Sequence, residues 1–208
     1  MAIAEKTGAK GKVVAVDPDK NRIAVAKSTF EHIENIEFKE GSSEGLSFYK
    51  KSSYDAVYMN YVLHWIQDKK PVIKNIYDVL KPGGRLAMQF GVCFVSSMEK
   101  AFKCLNPEEN FTKVKEMIFY EDLENIESYC KEAGFVITEI DEVRCVLHHE
   151  LSSFLQLTSA FYHGVFDVEL IKEENLNKFK KYLDKEGRIF DEFPVGVIIA
   201  TKPQFVQE

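Results

Sequence analysis

The chain has 208 residues, 45% hydrophobic and 29% charged, with Lys+Arg 27 against Asp+Glu 33 and a net charge of −6. This composition excludes a disordered tail, a collagen and a disulfide scaffold, and a mildly acidic chain lacks the basic surface that nonspecific duplex binding needs. No apolar run approaches the roughly 20 residues that cross a bilayer, and the first twelve residues carry no apolar leader. Cys93, Cys104, Cys130 and Cys145 are widely spaced, without a CxxC. The chain therefore reads as a cytoplasmic protein with free thiols, no metal site, and neither membrane nor nucleic acid as partner.

The elements follow in chain order. Residues 12–17 (KVVAVD) are a short β-branched run between Gly11 and Pro18, which predicts a buried strand. Residues 19–30 place Ile23, Ala26 and Phe30 at helical spacing, with Pro18 suited to a first helical turn. Residues 36–39 are a second strand, 41–45 a Gly/Ser loop and 54–60 (YDAVYMN) a third strand. Residues 71–80 form a helix with Val72, Ile73, Ile76 and Val79 on one face, and Lys81-Pro82-Gly83-Gly84 is a turn. A strand over 85–91 follows, then a helix over 120–133 stopped by Gly134, and a strand over 135–147. Helices over 150–162 and 169–183 and a strand over 193–201 complete the order. Alternating strand and helix up to about residue 90 predicts βαβ units and an α/β architecture, a mostly parallel sheet with helices on both faces. The helical stretch between the last two strands is far longer than an ordinary loop and suits a lid or pocket wall.

In an open parallel sheet, ligands bind beyond the carboxyl ends of the strands. Those ends are Asp17, residues 41–44 beginning with Gly41, Asn60 onward, and Gly91. Asp17 suits hydrogen bonds from ribose hydroxyls, or a cap on the following helix. His64-Trp65 stands just past a strand end, facing a ligand or starting a helix with Trp65 in the core. His148-His149 opens the insertion; adjacent side chains diverge, which disfavours a shared metal, so both a pocket contact and a solvated helix start stay open. Phe154, Leu155, Leu157, Phe161 and Tyr162 form a stripe that is core or pocket wall. Arg144 is either an anion ligand or an outward strand residue, and the basic run at 178–182 is a solvated helix face.

VVAVDPDKNRIAVAK, EFKEGSSEGLSF, YDAVYMNYVLHWIQD and NIYDVLKPGGRLAMQFG, in this order and spacing, resemble class I S-adenosylmethionine-dependent methyltransferases. The carboxyl methyltransferases of the trans-aconitate, malonyl-carrier-protein and juvenile hormone acid type are the nearest in pattern. The resemblance covers residues 1–91 well and the remainder only in layout. It implies a Rossmann-like fold in a single domain, with a core over 1–147, a helical insertion over 148–192 and a final strand and tail over 193–208. It also implies S-adenosylmethionine as cofactor and a small carboxylic acid as methyl acceptor. Asp17 would hold the ribose hydroxyls, with Pro18 beside the adenine. Gly41, Ser42 and Ser43 would border the adenine, Ser42 standing where the family usually has an Asp. Asn60 and Tyr61 would lie under the methionine moiety, and His64 and Trp65 would face the acceptor as the catalytic pair.

The family's Gly-rich loop has no counterpart here, so Met1 is expected to fall inside the helix that follows that loop. The missing strand would belong between the strands ending at Asp17 and Asn60, leaving buried backbone groups unpaired at roughly 1–3 kcal/mol each. Three readings follow: a fragment of an active enzyme, a short form that has lost cofactor binding, or direct pairing of the two flanking strands. An ionised carboxylate needs alignment and a dry pocket but no general base, so the lack of a catalytic triad does not count against a transferase. A non-catalytic, partner-binding protein and a dinucleotide oxidoreductase are the rival classes.

Overall fold

The computed structural model describes residues 2–42, 45, 49–105, 108–162 and 164–204, with the side chains of residues 108 and 109 also set aside. The chain divides into two compact units, residues 1–51 and 52–208.

The first unit opens with a short helix, α1 (Ala2–Thr7). The Asn35 amide donates to the Ala4 and Gly8 carbonyls at 2.8 and 3.0 Å, closing the α1 carboxyl end. Strands β1 (Val13–Asp17) and β2 (Ile36–Glu40) pair in parallel, Asp17 opposite Glu40. Between them runs α2 (Lys20–Thr29), anchored by Ile23, which is 7% exposed. Asp19 is its N-cap, its carboxylate accepting from the Asn21 and Arg22 N–H groups at 2.7 and 3.3 Å. Pro18 precedes that cap instead of entering the first turn, because the Asp19 side chain captures the first free N–H groups.

The second unit is built on a four-stranded sheet of order β3-β4-β6-β5. β3 (Tyr54–Asn60) and β4 (Leu80–Gly91) are parallel, joined through α3 (Lys69–Val79). Val72, Ile73, Ile76 and Val79 of α3 are 0–2% exposed, as their spacing predicts. The KPGG turn is an irregularity inside β4: Tyr54 pairs with Leu80, and the register resumes at Ala56–Arg85. Lys202 holds this bend. Its backbone bonds Gly83 and Gly84, and its buried ammonium donates to the Tyr77 and Leu80 carbonyls at 2.7 and 2.8 Å. A cation at the end of α3 also complements the helix dipole.

α4 (Ser96–Leu105) and α5 (Glu108–Met117) follow, neither of which was read from the sequence. α6 (Leu123–Ala133) starts three residues later than predicted and stops at Gly134, φ +106°. β5 (Val136–Glu150) runs three residues further than predicted, and β6 (Arg188–Thr201) starts five earlier, at Arg188 rather than 193. The two form one long antiparallel ribbon from Val136–Thr201 to Glu150–Arg188. The helical insertion therefore spans only the residues between Glu150 and Arg188. It comprises α7 (Leu151–Phe161), α8 (Glu173–Phe179) and 3-10 turns at Val168–Leu170 and Lys180–Tyr182, in place of one helix over 169–183. Phe102, Phe111, Phe154, Phe166, Phe179 and Leu147 make the core beneath it. Phe154, Leu155 and Tyr162 face inward, while Phe161 is 39% exposed. The fold class read from the sequence holds: alternating strands and helices, then a C-terminal antiparallel strand.

Within its own unit each of the strands ending at Asp17 and Asn60 has a parallel partner, β1 pairing with β2 and β3 with β4. Val16 is 37% exposed, Tyr58 is 54% exposed, and Met59 is the one fully buried residue of β3.

Gly196, in the middle of β6, has no room for a side chain: a Cβ would sit 2.8 Å from the Phe90 ring and 3.2 Å from Leu123. Gly196→Ala should destabilise the protein by about 1–3 kcal/mol through overpacking, read as a lower urea midpoint. An unchanged midpoint would show that Phe90 yields freely.

Candidate functional site

In the first unit the parallel β1–β2 ladder brings two strand ends together. The Gly41 N–H donates to the Asp17 carbonyl at 3.1 Å. The Asp17 carboxylate, about a third exposed, accepts from the Asp19 N–H at 2.8 Å through Oδ1, while Oδ2 lies 4.0 Å from Arg22 Nη1. Asp17 thus closes the Asp-Pro-Asp turn and leaves helix capping to Asp19. The turn holds its side chain still without using all the acceptor capacity of a carboxylate. Gly41 allows a close approach, since a Cβ there would meet Val16 Cγ1 at 3.3 Å. The Gly45 N–H donates to both the carbonyl and the hydroxyl of Ser42. Glu40, Gly41, Ser42, Gly45 and Tyr49 line a concavity of about 550 Å³ beside this strand end. Ser43 lies outside the described residues.

In the second unit β3 ends at Asn60, which is exposed and opposite Gln89. Tyr61 follows in the left-handed region, φ +54°. That conformation costs an L-residue roughly 1–2 kcal/mol and persists only where its surroundings hold it. The Tyr61 N–H bonds the Gln89 carbonyl at 2.8 Å, and its hydroxyl accepts from Gln89 Nε2 at 3.4 Å and donates to Cys145 Sγ at 3.8 Å. Burial, then the Cys145 bond, pushes the phenol up to about 12, so it stays protonated.

The turn at Tyr61 aims the chain into one 3-10 turn, Leu63–Trp65. His64 is 9% exposed, and the Gly91 N–H donates to its Nδ1 at 3.3 Å. That bond assigns the proton of the neutral ring to Nε2. Burial, with Lys69 second, pulls the imidazole down to about 4. Lys69 is itself buried. Its ammonium donates to the Ile66 and Phe119 carbonyls at 2.8 and 2.6 Å, and burial holds its pKa below the usual lysine range. Gly91 lets β4 end against these rings, since a Cβ there would lie 3.3 Å from Tyr120 and 3.5 Å from His64 Nδ1.

Aromatic rings surround this point. His64 lies 5.3 Å from Trp65 and 5.9 Å, stacked, from Tyr120; Trp65 lies 5.6 Å from Tyr162; and Phe94 stacks on Tyr162 at 6.2 Å. Burial raises the Tyr120 and Tyr162 phenols. Sequence reasoning missed Lys69, Gln89, Phe94 and Tyr120 as members of this cluster. A signal was present only for the strand end at Gly91.

Other candidates fall outside it. His148 and His149 lie on β5, with His148 Nε2 3.5 Å from Asp184. Arg144 faces outward and pairs with Glu192 at 3.0 Å. Among the described residues no group of three or more His, Cys, Asp or Glu side chains could hold a metal ion, and no helix is long and apolar enough to cross a membrane.

Residues 1–88 match the family model described as a methyltransferase domain. The chain is 31% identical over 159 residues to the demethylmenaquinone methyltransferase of Lactococcus lactis, covering 66% of this chain and 61% of that protein. It is 24% identical over 146 residues to the ubiquinone/menaquinone biosynthesis C-methyltransferase of Escherichia coli, covering 62% and 58%. The chain thus spans about 60% of the length of these curated relatives. Among solved structures, the YcgJ protein of Bacillus subtilis superposes with a TM-score of 0.62 at 15% identity, covering 93% of this chain and 83% of that one. A Haemonchus contortus phosphoethanolamine N-methyltransferase bound to S-adenosylhomocysteine gives 0.59 at 19% identity, covering 98% and 46%. The fold is the Rossmann-like methyltransferase fold. At these identities the likeness to solved structures extends to fold, and the similarity to the methyltransferase-domain model covers residues 1–88.

The depressed His64 pKa has a definite sign. Between about 4 and the ordinary 6.5 the unfolded chain holds a proton that the folded chain does not. His64 therefore costs stability progressively as pH falls from 6.5 towards 4, and nothing above. NMR titration of its ring protons should give a midpoint near 4, and His64→Gln should flatten the acid limb of the stability curve. A midpoint near 6.5 would contradict the buried, neutral ring.

Proposed function

We propose that the protein is an S-adenosylmethionine-dependent methyltransferase acting on a small-molecule acceptor. The observation that carries this reading is the fixed Asp17 carboxylate beside the close approach at Gly41 and its adjoining concavity. These features fit an adenosine: a carboxylate accepts from ribose hydroxyls, and the concavity bordered by Gly41 and Ser42 can take a flat ring. The named relatives and the methyltransferase-domain match support the same reading.

When bound, the cofactor supplies an activated methyl group on a sulfonium, transferred by in-line displacement. The chain's residues bind, orient and exclude water. In the first unit Asp17 takes the ribose, Pro18 lies beside the adenine, and Gly41 and Ser42 border it. His64 acts as a neutral donor through Nε2 rather than as a base, because a ring with a pKa of about 4 is a weak proton acceptor. Trp65, Tyr120 and Tyr162 form an apolar aromatic wall near His64.

That wall favours a planar, partly apolar acceptor ring, in keeping with the quinone methyltransferases among the relatives. Methylation of a small carboxylic acid is the second reading. It draws support from the sequence resemblance and from needing no general base. The cation beside His64 weakens it, because the Lys69 ammonium is already engaged by two backbone carbonyls.

Calorimetric titration of S-adenosylhomocysteine into the protein tests the first step. We expect binding, weakened about tenfold or more in Asp17→Ala with the fold intact, the scale of a lost charge-assisted hydrogen bond. Unchanged affinity in that variant would remove Asp17 from the site, and no binding by the folded protein would favour a partner-binding role. Transfer of labelled methyl to a naphthoquinol, giving a base-stable product, would support the ring acceptor. Base-labile label on an aliphatic acid would support the ester.

A further inference from the structure

β5 is an edge strand of the second unit's sheet, hydrogen-bonded on one side by β6. Along its exposed face, alternate residues read Ile140, Glu142, Arg144 and Val146. Ile140 is 39% and Val146 61% exposed, Glu142 is exposed, and the Arg144 side chain is 79% exposed. The order apolar, acid, base, apolar is self-complementary when reversed. Folded on itself about Val143, an antiparallel pair sets Ile140 opposite Val146 and Glu142 opposite Arg144, twice over. Charged side chains on an edge ordinarily deter pairing by facing like charges. Here the antiparallel self-register faces opposite charges instead, and opposite-charge and apolar cross-strand pairs each stabilise a sheet.

We infer that β5 is a homodimerisation edge, pairing antiparallel with β5 of a second copy about a two-fold axis at Val143 to make one continuous eight-stranded sheet. The register irregularity between Ile137 and Glu139 ends the ladder on one side and, by symmetry, after Leu147 on the other. A short ladder between two chains of charge −6 makes a weak, concentration-dependent dimer. Arg144 already pairs with Glu192 of its own chain and would share its guanidinium between two carboxylates.

Sedimentation velocity over a concentration series tests this with the intact protein. The weight-average mass should rise from 23.9 kDa toward twice that value. Glu142→Arg and Arg144→Glu each face like charges and should weaken association about tenfold, and the double swap should restore it. A covalent test does not depend on those variants. Val143→Cys places two thiols across the axis within disulfide reach and should yield a dimer on a non-reducing gel. Ile140→Cys, opposite residue 146 rather than itself, should not. A monomer at every concentration, a dimer indifferent to charge reversal or not rescued by the swap, or equal cross-linking at 140 and 143 would overturn the proposal.

Discussion

The second unit depends on one strand inserted late. β6 pairs antiparallel with β4 through Arg85–Thr201 to Gly91–Val195 and with β5 along its whole length. Without it the two halves of this unit share no ladder: β3–β4 is made from residues 54–91 and β5 from residues 136–150. Val195, Ile198 and Ala200 are 0% exposed, and Gly196 has no side chain because Phe90 fills its place. The insertion also fixes the ends of its neighbours. Just past β6, Lys202 ties the Gly83-Gly84 bend to the end of α3, and at the other end of the β4–β6 ladder β4 stops at Gly91. That stop sets the Gly91 N–H where it meets His64.

The chemistry around His64 follows from that stop. A donated N–H on Nδ1, a buried ring and a nearby ammonium all oppose protonation, so imidazole here is a fixed dipole with a donor at Nε2. Lys69 sharpens this effect and is itself unavailable, its ammonium spent on the Ile66 and Phe119 carbonyls. The second carbonyl is next to Tyr120, so the same lysine that biases His64 also positions the ring stacked on it. Tyr61, held at positive φ by bonds to Gln89 and Cys145, links the ends of β3, β4 and β5. The site is therefore braced by groups distant in sequence.

That distance explains what the sequence could reveal. β3 was legible to the residue, as were the α3 face and the Gly134 stop, because each is a local signal: β-branched alternation, helical spacing, a residue free to adopt positive φ. Asp17 and the loop at Gly41 were legible as strand ends, since each closes a β-branched or alternating run. The contacts of Lys69 and Tyr120 with His64, and of Phe94 with Tyr120, were not, since nothing within a few residues of each encodes a ring or carbonyl supplied by another element. α4 does carry a local signal, with Met98, Ala101, Phe102 and Leu105 helically spaced and buried. The early start of β6 was hidden because Arg188–Glu192 carries charges on the face its pleat leaves to water.

The strands flanking the predicted gap show how a local rule can mislead when its environment is assumed. The sequence of β1 is apolar enough to suggest burial on both sides, and an unpaired buried edge is costly. The structure gives β1 and β3 the exposure of edge strands instead, with Val16 and Tyr58 open to water. Each strand is held by one parallel neighbour within its own unit. Apolar area left exposed costs about 25 cal/mol for each Å² in water, which a few half-exposed side chains can bear. An apolar run thus marks a strand reliably. Its second neighbour is a property of the sheet, and no residue within the strand records it.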